Sequence, residues 1–352
     1  METKIIKINE HKFEQDEFSE AVQILRTGGL VAFPTETVYG LGGDGLRADA
    51  AKKIYEAKGR PSDNPLILHI ADLAMLSSLA EEIPDAAQVL AKKFWPGPLT
   101  MIFKKKREVP FGTTGGLDSV AVRMPSHKVA RELIRLSGVC IAAPSANTSG
   151  RPSPTKASHV IDDLMGKIDM IIDGGEVGIG IESTIVDLTG ERPTILRPGF
   201  ITQRMLEKAV GEVRIDPAVL SKKADPNLVP KAPGMKYKHY APKAELTIME
   251  GALPLVTEEI NRRCLKAQCA GKRVGVICSC DTKQAYTIGI VKEIGDRKQE
   301  ITIAQRLYSI LREFDDLGVD IIYSESFASD DLGQAIMNRL LKAAGYQVVC
   351  CE

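Results

Sequence analysis

The first two hundred residues alternate short apolar runs with stretches whose apolar residues recur at helical spacing. The short runs predict strands, whereas stretches such as Ala48–Ala57 and Lys128–Leu136 predict amphipathic helices between them. This mixture predicts one α/β domain that is built on a twisted sheet and closed by a helix over Thr202–Val210. Its predicted strands are Leu30–Phe33, Leu66–Ile70, Leu99–Phe103, Ser119–Arg123, Val139–Ala143, Met170–Asp173, Ser183–Leu188 and Thr194–Leu196.

Residues 211–244 lose this periodicity, and prolines recur through them. The proline spacing predicts an extended segment without regular structure, and an irregular segment of this length is usually a linker or a functional lid. Its second half, GMKYKHYAP from Gly234 to Pro242, carries two Tyr, one His and two Lys. That composition is unlike a flexible Gly/Ser tether, so we expect the segment to act as a linker or lid.

From Glu245 onward, strands and helices alternate again. The layout predicts a smaller, Rossmann-like α/β domain over residues 245–352, although no G-x-G-x-x-G pattern accompanies it. The sequence is thus divided into a larger α/β domain over residues 1–210, the linker over 211–244 and this smaller domain. The predicted strands of the smaller domain are Glu245–Met249, Arg273–Cys278, Tyr286–Ile290, Val319–Tyr323 and Gln347–Cys350.

Length and charge narrow the classes of protein that fit this layout. At roughly 100–200 residues per domain, a chain of 352 residues is expected to form two domains. Lys plus Arg and Asp plus Glu both number 46, and a net charge of zero argues against a protein that depends on non-specific contact with nucleic acid. The neutral total averages unlike segments, because residues 92–107 carry six cations and no acid.

The sequence also indicates a compartment. No apolar run approaches the ~20 residues that cross a bilayer, and Met1–Glu20 lacks the apolar core of a signal peptide. Six of the seven cysteines follow residue 260, which is unlike a disulfide framework. We therefore expect a cytoplasmic protein with no membrane partner.

Two polar segments near the N-terminus have both a structural and a functional interpretation. Pro34–Gly45 follows a predicted strand and combines four glycines with hydroxyls such as that of Thr37, which suits an ordinary glycine-rich turn as well as a binding loop. Lys58 and Arg60 follow a predicted helix in KGRPSDNPL. They either complement the helix dipole or, beside Asn64, clamp a polyphosphate.

Two predicted strands carry single polar residues whose meaning depends on what they face. His69 lies in the apolar run LILHI, where a lone His is more often a core residue than a catalyst. In SVAVRMP, strand alternation places Ser119 and Arg123 on one face. If that face lines a cavity, Arg123 is suited to bind a carboxylate; if it faces solvent, Arg123 is a surface charge.

CIAAPSANTSGRPSPT, over residues 140–155, is the most informative segment. A predicted strand leads into a loop with five hydroxyl side chains, Ser145 and Ser153 among them, held rigid by three prolines. Rigid donors at the carboxyl end of a strand are the usual ligand position in an open α/β sheet. Ser183 and Arg197 stand at the ends of later predicted strands, so we expect one shared polar cavity. The P-loop signature is absent, no metal-ligand spacing appears and no catalytic general base can be assigned.

Seven motifs of the larger domain, in order, resemble those of the YrdC/YwlC family of threonylcarbamoyl-AMP synthases: PTETVYGLG, KGRPSDNPLILHI, WPGPLT, SVAVRMPSH, IAAPSANTSGRPSPT, ESTIVDL and ILRPG. APGMKYKHYAP followed by a small α/β domain resembles the long, two-domain form. The resemblance implies a twisted open α/β sheet with a concave, positively lined cavity. It also implies a nucleotidyltransferase that joins L-threonine, bicarbonate and ATP into L-threonylcarbamoyl-AMP and releases pyrophosphate.

The resemblance further implies partners and site residues. A threonylcarbamoyl transferase complex would move the group to an adenosine next to the anticodon of tRNA, and a weak contact of this chain with tRNA stays open. ATP is a substrate, Mg²⁺ is expected with it, and catalysis is expected to rest on positioning and exclusion of water. Implied L-threonine contacts are Thr37, His69, Arg123, the backbone of Ala143, and Ser183. Implied nucleotide contacts are Lys58, Arg60, Asn64, Ser119, Ser145, Ser153 and Arg197, with Tyr237 or Tyr240 from the linker.

Two other classes of function remain as alternatives at this point. The cation-rich stretch would suit an RNA-binding module or assembly factor without catalysis, although the zero net charge argues against it. A carbamoyltransferase of the hydrogenase-maturation type would carry a similar domain. Proteins of that type also carry upstream zinc-finger cysteine pairs, and this sequence has none.

Overall fold

The computed structural model describes residues 1–221, 231–233 and 239–352. These residues form two compact units, and Tyr237, with most of GMKYKHY, lies outside the described residues. The larger unit contains Met1–Ser149, Ser153–Leu220 and the described residues of Asp225–Lys236. The smaller unit contains Gly150–Pro152, Ser221 and the described residues of Tyr237–Glu352.

A mixed sheet forms the centre of the larger unit. Its eleven strands run in the spatial order β1-β8-β2-β3-β7-β4-β6-β5-β9-β10-β11. In that order β4 and β6 are parallel, whereas β6 and β5 are antiparallel. The strands are β1 (Lys4–Lys7), β2 (Val31–Phe33), β3 (Gly40–Asp44), β4 (Ile67–His69), β5 (Leu99–Lys104), β6 (Ser119–Arg123), β7 (Ile141–Ala142), β8 (Met170–Asp173), β9 (Thr184–Asp187), β10 (Thr194–Arg197) and β11 (Arg214–Ile215).

Helices cover this sheet, and their ends follow from local sequence. Gly59 follows α2 and Gly138 follows α6, and both lie in the left-handed region that glycine adopts without steric cost. The helices are α1 (Ser19–Arg26), α2 (Ala48–Lys58), α3 (Leu73–Leu76), α4 (Asp85–Phe94), α5 (Phe111–Thr114), α6 (Lys128–Ser137), α7 (Ala157–Leu164), α8 (Gln203–Val210) and α9 (Pro217–Leu220).

Apolar residues are buried on both faces of the sheet. Along β2, Ala32 belongs to one hydrophobic cluster, whereas its neighbours Val31 and Phe33 belong to another. Successive strand residues point to opposite faces, so this alternation shows that each face has its own core. The predicted α/β fold of the larger domain is confirmed.

The smaller unit is a five-stranded parallel sheet with the spatial order β14-β13-β15-β12-β16. Its strands are β12 (Glu245–Gly251), β13 (Val274–Ser279), β14 (Ile290–Gly295), β15 (Ile321–Glu325) and β16 (Val348–Cys351). Its helices are α10 (Leu253–Cys269), α11 (Glu300–Asp316) and α12 (Asp331–Ala343). Parallel strands joined by helices confirm the predicted Rossmann-like α/β class.

The segment Pro34–Gly45, for which a glycine-rich turn was one interpretation, contains a strand. Its second half forms β3, which pairs with β2 and β7 inside the sheet. A Cβ on Gly42 would lie 2.6 Å from Cγ2 of Ile141 and 2.7 Å from Cε1 of Phe33. These glycines therefore allow close packing of a buried strand, rather than a turn.

Two other expectations about secondary structure were wrong. The third strand of the smaller unit is β14, over Ile290–Gly295, and not Tyr286–Ile290, because the ring of Tyr286 is buried with its hydroxyl on Glu325 instead of in a ladder. Residues 211–244 are not uniformly irregular. β11 pairs in parallel with β10, and α9 starts at Pro217, a residue whose fixed φ suits the first turn of a helix.

Across the described residues, none of the helices combines the length and the apolar character that crossing a membrane requires.

Candidate active site

Three polar residues stand side by side on neighbouring strands of the larger sheet. His69 on β4 lies opposite Arg123 on β6, and Arg123 lies opposite Thr100 on β5. Directly paired residues project to the same face of a sheet, so the imidazole, the guanidinium and the hydroxyl form one polar row. All three side chains are buried.

Arg123 faces the interior, which decides between the two interpretations of SVAVRMP. Only 4% of the residue is exposed. Its Nη1 donates a hydrogen bond of 2.9 Å to Oγ1 of Thr37, and its Nη2 lies 2.7 Å from Oε1 of Glu36. The structure thus brings together two of the predicted threonine contacts, Thr37 and Arg123.

Glu36 is a site residue that the sequence did not single out. Burial alone would raise its pKa, but the guanidinium of Arg123 and nearby backbone amides hold the pKa of Glu36 below its ordinary value. The carboxylate is therefore ionised at neutral pH. The available signal was its place between two threonines in PTETVYG, which says nothing about a partner elsewhere in the chain.

His69 is electrically neutral in this setting. Burial, and then the charge of Arg123, lower the pKa of His69 to about 3. Nδ1 lies 3.1 Å from the carbonyl oxygen of Ile67, an acceptor, so Nδ1 carries the proton and Nε2 is left as an acceptor. His69 can accept a hydrogen bond, but it adds no charge to the row.

Ser183 and Arg197 extend the row at the ends of β9 and β10. Oγ of Ser183 lies 2.8 Å from Oγ1 of Thr100 and accepts a hydrogen bond of 3.2 Å from Nη2 of Arg197. Nε of Arg197 donates to the carbonyl of Ser183 at 3.0 Å. The close crossing of these chains needs Gly199, where a Cβ would lie 2.5 Å from the amide nitrogen of Thr184.

The described part of the linker packs on the face that carries this row. Ala232 is fully buried in a cluster with Ile67 and Ala121, which are two residues from His69 and Arg123 on the same strands. The carbonyl of Pro233, next in the chain, is 3.5 Å from Nη1 of Arg197. Residues 231–233 therefore cover part of the sheet beside the polar row.

Lys58 and Arg60 donate to backbone carbonyls. The ammonium of Lys58 is buried and donates to the carbonyls of Ser145 and Asn147, which anchors that turn to the end of α2. Arg60 donates through Nη2 to the carbonyls of Asn64, at 3.3 Å, and Pro65, at 3.1 Å. Both cations lie at the C-terminal end of α2, where they suit the helix dipole, and their side chains also hold the backbones of nearby loops in place.

The segment Pro34–Gly45 is hydrogen-bonded to the hydroxyl-rich segment over residues 140–155. The amide of Leu41 donates to the carbonyl of Pro144, and the amide of Tyr39 donates to that of Pro154. Within the second segment, Oγ of Ser145 donates to the side chain of Asn147 at 2.5 Å. The structure therefore places the predicted loop beside the segment that contains Thr37.

The remaining predicted residues have surroundings of their own. Ala143 directly follows β7 and donates its amide to the carbonyl of Ile67 at 2.9 Å, next to the row. The hydroxyl of Ser153 donates to Oε1 of Glu182 at 2.5 Å. Ser119 is on the face of Arg123 but at the other end of β6, beside an open cavity of about 340 Å³ that Lys104 and Lys231 also line. Tyr240 stacks on Tyr308 within the smaller unit, with ring centroids 5.2 Å apart.

The described residues contain no cluster of three or more His, Cys, Asp and Glu side chains arranged to hold a metal ion. The polar row can bind an anionic group at Arg123 and donate or accept hydrogen bonds at Thr37, Ser183 and His69. It is suited to hold a small polar molecule.

Comparison with known proteins gives two matching families. The Sua5/YciO/YrdC family model, described as "Telomere recombination", matches residues 23–199. The model described as "Threonylcarbamoyl-AMP synthase, C-terminal domain" matches residues 201–345. The chain belongs to the Sua5/YciO/YrdC family. It has the long, two-domain form, as the motifs predicted.

Relatives in this family match the whole chain. A threonylcarbamoyl-AMP synthase of Pyrococcus abyssi is 51% identical over 99% of both chains, and one of Bacillus subtilis is 49% identical over 95% of this chain and 94% of its own. The crystal structure of P. abyssi Sua5 complexed with L-threonine is 50% identical, with a TM-score of 0.93 over 99% of this chain and 100% of that one. The chain is thus an enzyme of the nucleotidyltransferase type, as expected.

Proposed function

We propose that this chain synthesises L-threonylcarbamoyl-AMP from L-threonine, bicarbonate and ATP, with release of pyrophosphate. The observation that carries the proposal is the buried polar row that contains Arg123, in a chain that matches synthases of that name along its whole length. A relative of the same fold has been crystallised with L-threonine.

L-Threonine would bind at the polar row. The guanidinium of Arg123 would hold the α-carboxylate, as a planar fork suits that group. The hydroxyls of Thr37 and Ser183 would hold the polar atoms of the amino acid, and the neutral imidazole of His69 would accept a hydrogen bond. The backbone at Ala143, next to this row, would complete the site.

The nucleotide would bind along the loops that border the row. The proposed contacts are Arg60, Asn64, Ser119, Ser145, Ser153 and Arg197, with Tyr237 or Tyr240. Lys58 would act beside the phosphates mainly by holding the turn that presents Ser145, since its ammonium donates to carbonyls of that turn. Mg²⁺ would enter with ATP on the phosphate oxygens, because the described residues offer no carboxylate cluster of their own for it.

The chemistry requires a neutral amine and a dry site. The deprotonated amine of threonine attacks the carbon of bicarbonate, and the adduct loses one oxygen as water to leave a carbamate. An oxygen of this carbamate attacks the α-phosphorus of ATP. The bond from that phosphorus to the bridging oxygen breaks, and pyrophosphate leaves with the electron pair. Arg60 and Arg197 would stabilise the developing charge, and the buried segment around Ala232 supports a linker that excludes water from an unstable carbamate.

The product is an activated adenylate, so a partner must consume it. We propose a threonylcarbamoyl transferase complex that modifies the adenosine next to the anticodon of tRNA, in the cytoplasm. A weak contact with tRNA would rest on the cation-rich stretch 92–107. Within it, however, Lys105 is buried over the ring of Phe111, and Lys106 donates to the carbonyl of Ser77. These contacts leave fewer cations for RNA than the sequence suggests.

The deciding experiment measures pyrophosphate release from ATP by the full-length chain. We expect release only when L-threonine and bicarbonate are both present, together with formation of a threonine-containing adenylate detected by mass spectrometry. Omission of either substrate is the matched control. Release that continues without threonine, or no release at all, would overturn the proposal.

A further inference from the structure

The hydroxyl of Ser153 donates its one proton to a buried carboxylate. Oγ of Ser153 lies 2.5 Å from Oε1 of Glu182, and only 1% of Ser153 and 7% of Glu182 are exposed. A serine hydroxyl has one donor hydrogen and two acceptor lone pairs, and a bond from a hydroxyl to a carboxylate is short and strong. The proton therefore stays with Glu182, and Ser153 has only its lone pairs left for a further partner.

The backbone on both sides of this contact is held in place. Ser153 stands between two prolines, and a residue that precedes proline is restricted to extended conformations. Shortly before Glu182, the amide of Gly180 donates to the carbonyl of Thr37 at 3.1 Å, which ties this loop to the segment that carries the polar row. The hydroxyl and the carboxylate therefore meet in one defined arrangement.

Few polar atoms of ATP can use a lone pair of Ser153. The phosphate oxygens, the ring nitrogens of adenine and the ring oxygen of the ribose are all acceptors. The donors of ATP are its 2′-hydroxyl, its 3′-hydroxyl and its 6-amino group, and all of them belong to the adenosine part. A serine that can only accept therefore complements adenosine and not the triphosphate.

We propose, as a refinement that rests on the function proposed above, that Glu182 is a positioning residue that makes Ser153 a hydrogen-bond acceptor for the adenosine part of ATP. The donor that Ser153 receives is a ribose hydroxyl or the 6-amino group. Glu182 acts through Ser153, because it holds the hydroxyl proton on the side away from the nucleotide. The contact thus selects ATP over an analogue that lacks this donor.

Analogues of ATP that each lack one donor test this assignment. 2′-Deoxy-ATP and 3′-deoxy-ATP each lack a ribose hydroxyl, and purine riboside triphosphate lacks the 6-amino group. Pyrophosphate release by the full-length chain, at saturating L-threonine and bicarbonate, gives kcat/KM for each nucleotide. For the analogue without the donor that Ser153 receives, kcat/KM should be about 5- to 20-fold lower than for ATP, because a buried acceptor then loses its hydrogen bond.

Variants of the two residues assign the discrimination to this contact. Ser153→Ala should bring kcat/KM for ATP within about twofold of the value for the discriminated analogue, since both then lack the bond. Glu182→Met removes the carboxylate but keeps the length of the side chain, so the hydroxyl of Ser153 can turn and the ratio should fall below about threefold. The double variant should lose no more discrimination than Ser153→Ala alone, because Glu182 acts through Ser153.

A glutamate of the same loop supplies the control. Glu176 is exposed and precedes Glu182 in this loop, so Glu176→Met should match wild type both in rate and in the ratio between ATP and the analogue. Circular dichroism confirms that each variant is folded. If Glu182→Met does not fold, the wild-type chain and Ser153→Ala still measure the discrimination and its source.

Several outcomes would overturn the proposal. Equal kcat/KM for ATP and all the analogues in the wild-type chain would show that Ser153 receives no donor from adenosine. A ratio that persists in Ser153→Ala would assign the discrimination to another residue. An equal fall for ATP and the analogue in Glu182→Met, with the ratio unchanged, would show that Glu182 only supports the fold around it. If the wild-type chain releases no pyrophosphate from ATP, the proposed function itself fails, and that result is distinct from all the others.

Discussion

Lys58 and Arg197 hold backbone segments of this site in place in addition to supplying a positive charge. The buried ammonium of Lys58 donates to two carbonyls of the turn at Ser145 and Asn147, so it fixes backbone that the nucleotide would use. Arg197 fixes Ser183 in the same way, through one bond to its carbonyl and one to its hydroxyl. At this scale a cation acts on the ligand partly through the loop that it holds.

Lys58 can be tested against a lysine from the same helix. Lys58→Met keeps the apolar stem but removes the donor, so the Ser145 turn should shift and pyrophosphate release should fall by about 10- to 100-fold. Lys52→Met is the control, because the Lys52 side chain is 78% exposed and pairs with exposed Glu56, so its rate should stay within about twofold of wild type. Equal rates in the two variants would contradict the anchoring role.

The lowered pKa of His69 predicts a pH-dependent stability. In the unfolded chain its pKa returns to about 6.5, whereas in the folded chain it is about 3, so the unfolded state binds a proton first as pH falls. Between those values His69 should reduce the free energy of unfolding by up to about 1.4 kcal/mol per pH unit. His69→Gln should lose less stability than wild type in urea melts between pH 6 and pH 4, because Gln does not titrate. Parallel pH profiles would show that the pKa of His69 does not differ between the folded and the unfolded chain.

At the scale of elements, close packing in the larger sheet depends on β3. Its glycines let the strand fit between β2 and β7, where side chains from both neighbours leave no room for a Cβ. The same strand carries the backbone from Thr37 and Glu36 into the sheet. A substitution that displaces β3 would therefore also displace Thr37 and Glu36, which contact Arg123 in the polar row.

Gly42 is the position where this can be measured. Gly42→Ala should lower the free energy of unfolding by about 1–3 kcal/mol, because its Cβ would lie 2.6 Å from Ile141 and 2.7 Å from Phe33. Gly190→Ala is the control, since a Cβ there would meet no atom within 4 Å and stability should change little. Denaturant melts of both variants decide the matter, and matching midpoints would contradict the packing argument.

Helices with a long apolar stripe were predicted well, whereas the eight-residue α1 (Ser19–Arg26) and some strands were missed. The helix predicted over Lys128–Leu136 is present as α6, Lys128–Ser137, because its apolar stripe repeats over several turns and a glycine follows it. β3 and β14 were missed or misplaced. A short strand is defined mainly by the strands it pairs with, which its own sequence does not specify. In addition, β3 has glycines where a predicted strand would have β-branched residues.

At the scale of the whole molecule, each unit has a core of its own. In the smaller one, the fully buried carboxylate of Glu325 accepts bonds from the hydroxyl of Tyr286 at 2.7 Å and from Arg297 at 2.6 Å. The amide and hydroxyl of Ser279 also donate to it, at 3.1 and 3.0 Å. This network joins the ends of β13 and β15 through bonds that stay inside the unit.

Glu325→Gln should therefore destabilise the smaller unit. Losing the charge that faces Arg297 should lower the free energy of unfolding of the smaller unit by about 3 kcal/mol. Amide exchange should become faster in β13 and β15, whereas β4, β5 and β6 of the larger unit should keep their protection. Glu258→Gln, on the exposed side of α10, should change neither region. Hydrogen exchange followed by mass spectrometry reports both units at once, and equal loss of protection in both would contradict separate cores.

The sequence by itself determined the α/β class, the two-domain form and the family, because these depend on local periodicity and on motifs that are contiguous in the chain. It also named Thr37, His69, Arg123, Ser183 and Arg197 as candidates. Only the tertiary structure decided that Arg123 is buried, that Glu36 is its partner and that Lys58 holds a loop. These facts depend on which distant strands become neighbours and on the loss of solvent around their side chains, and no local pattern encodes either.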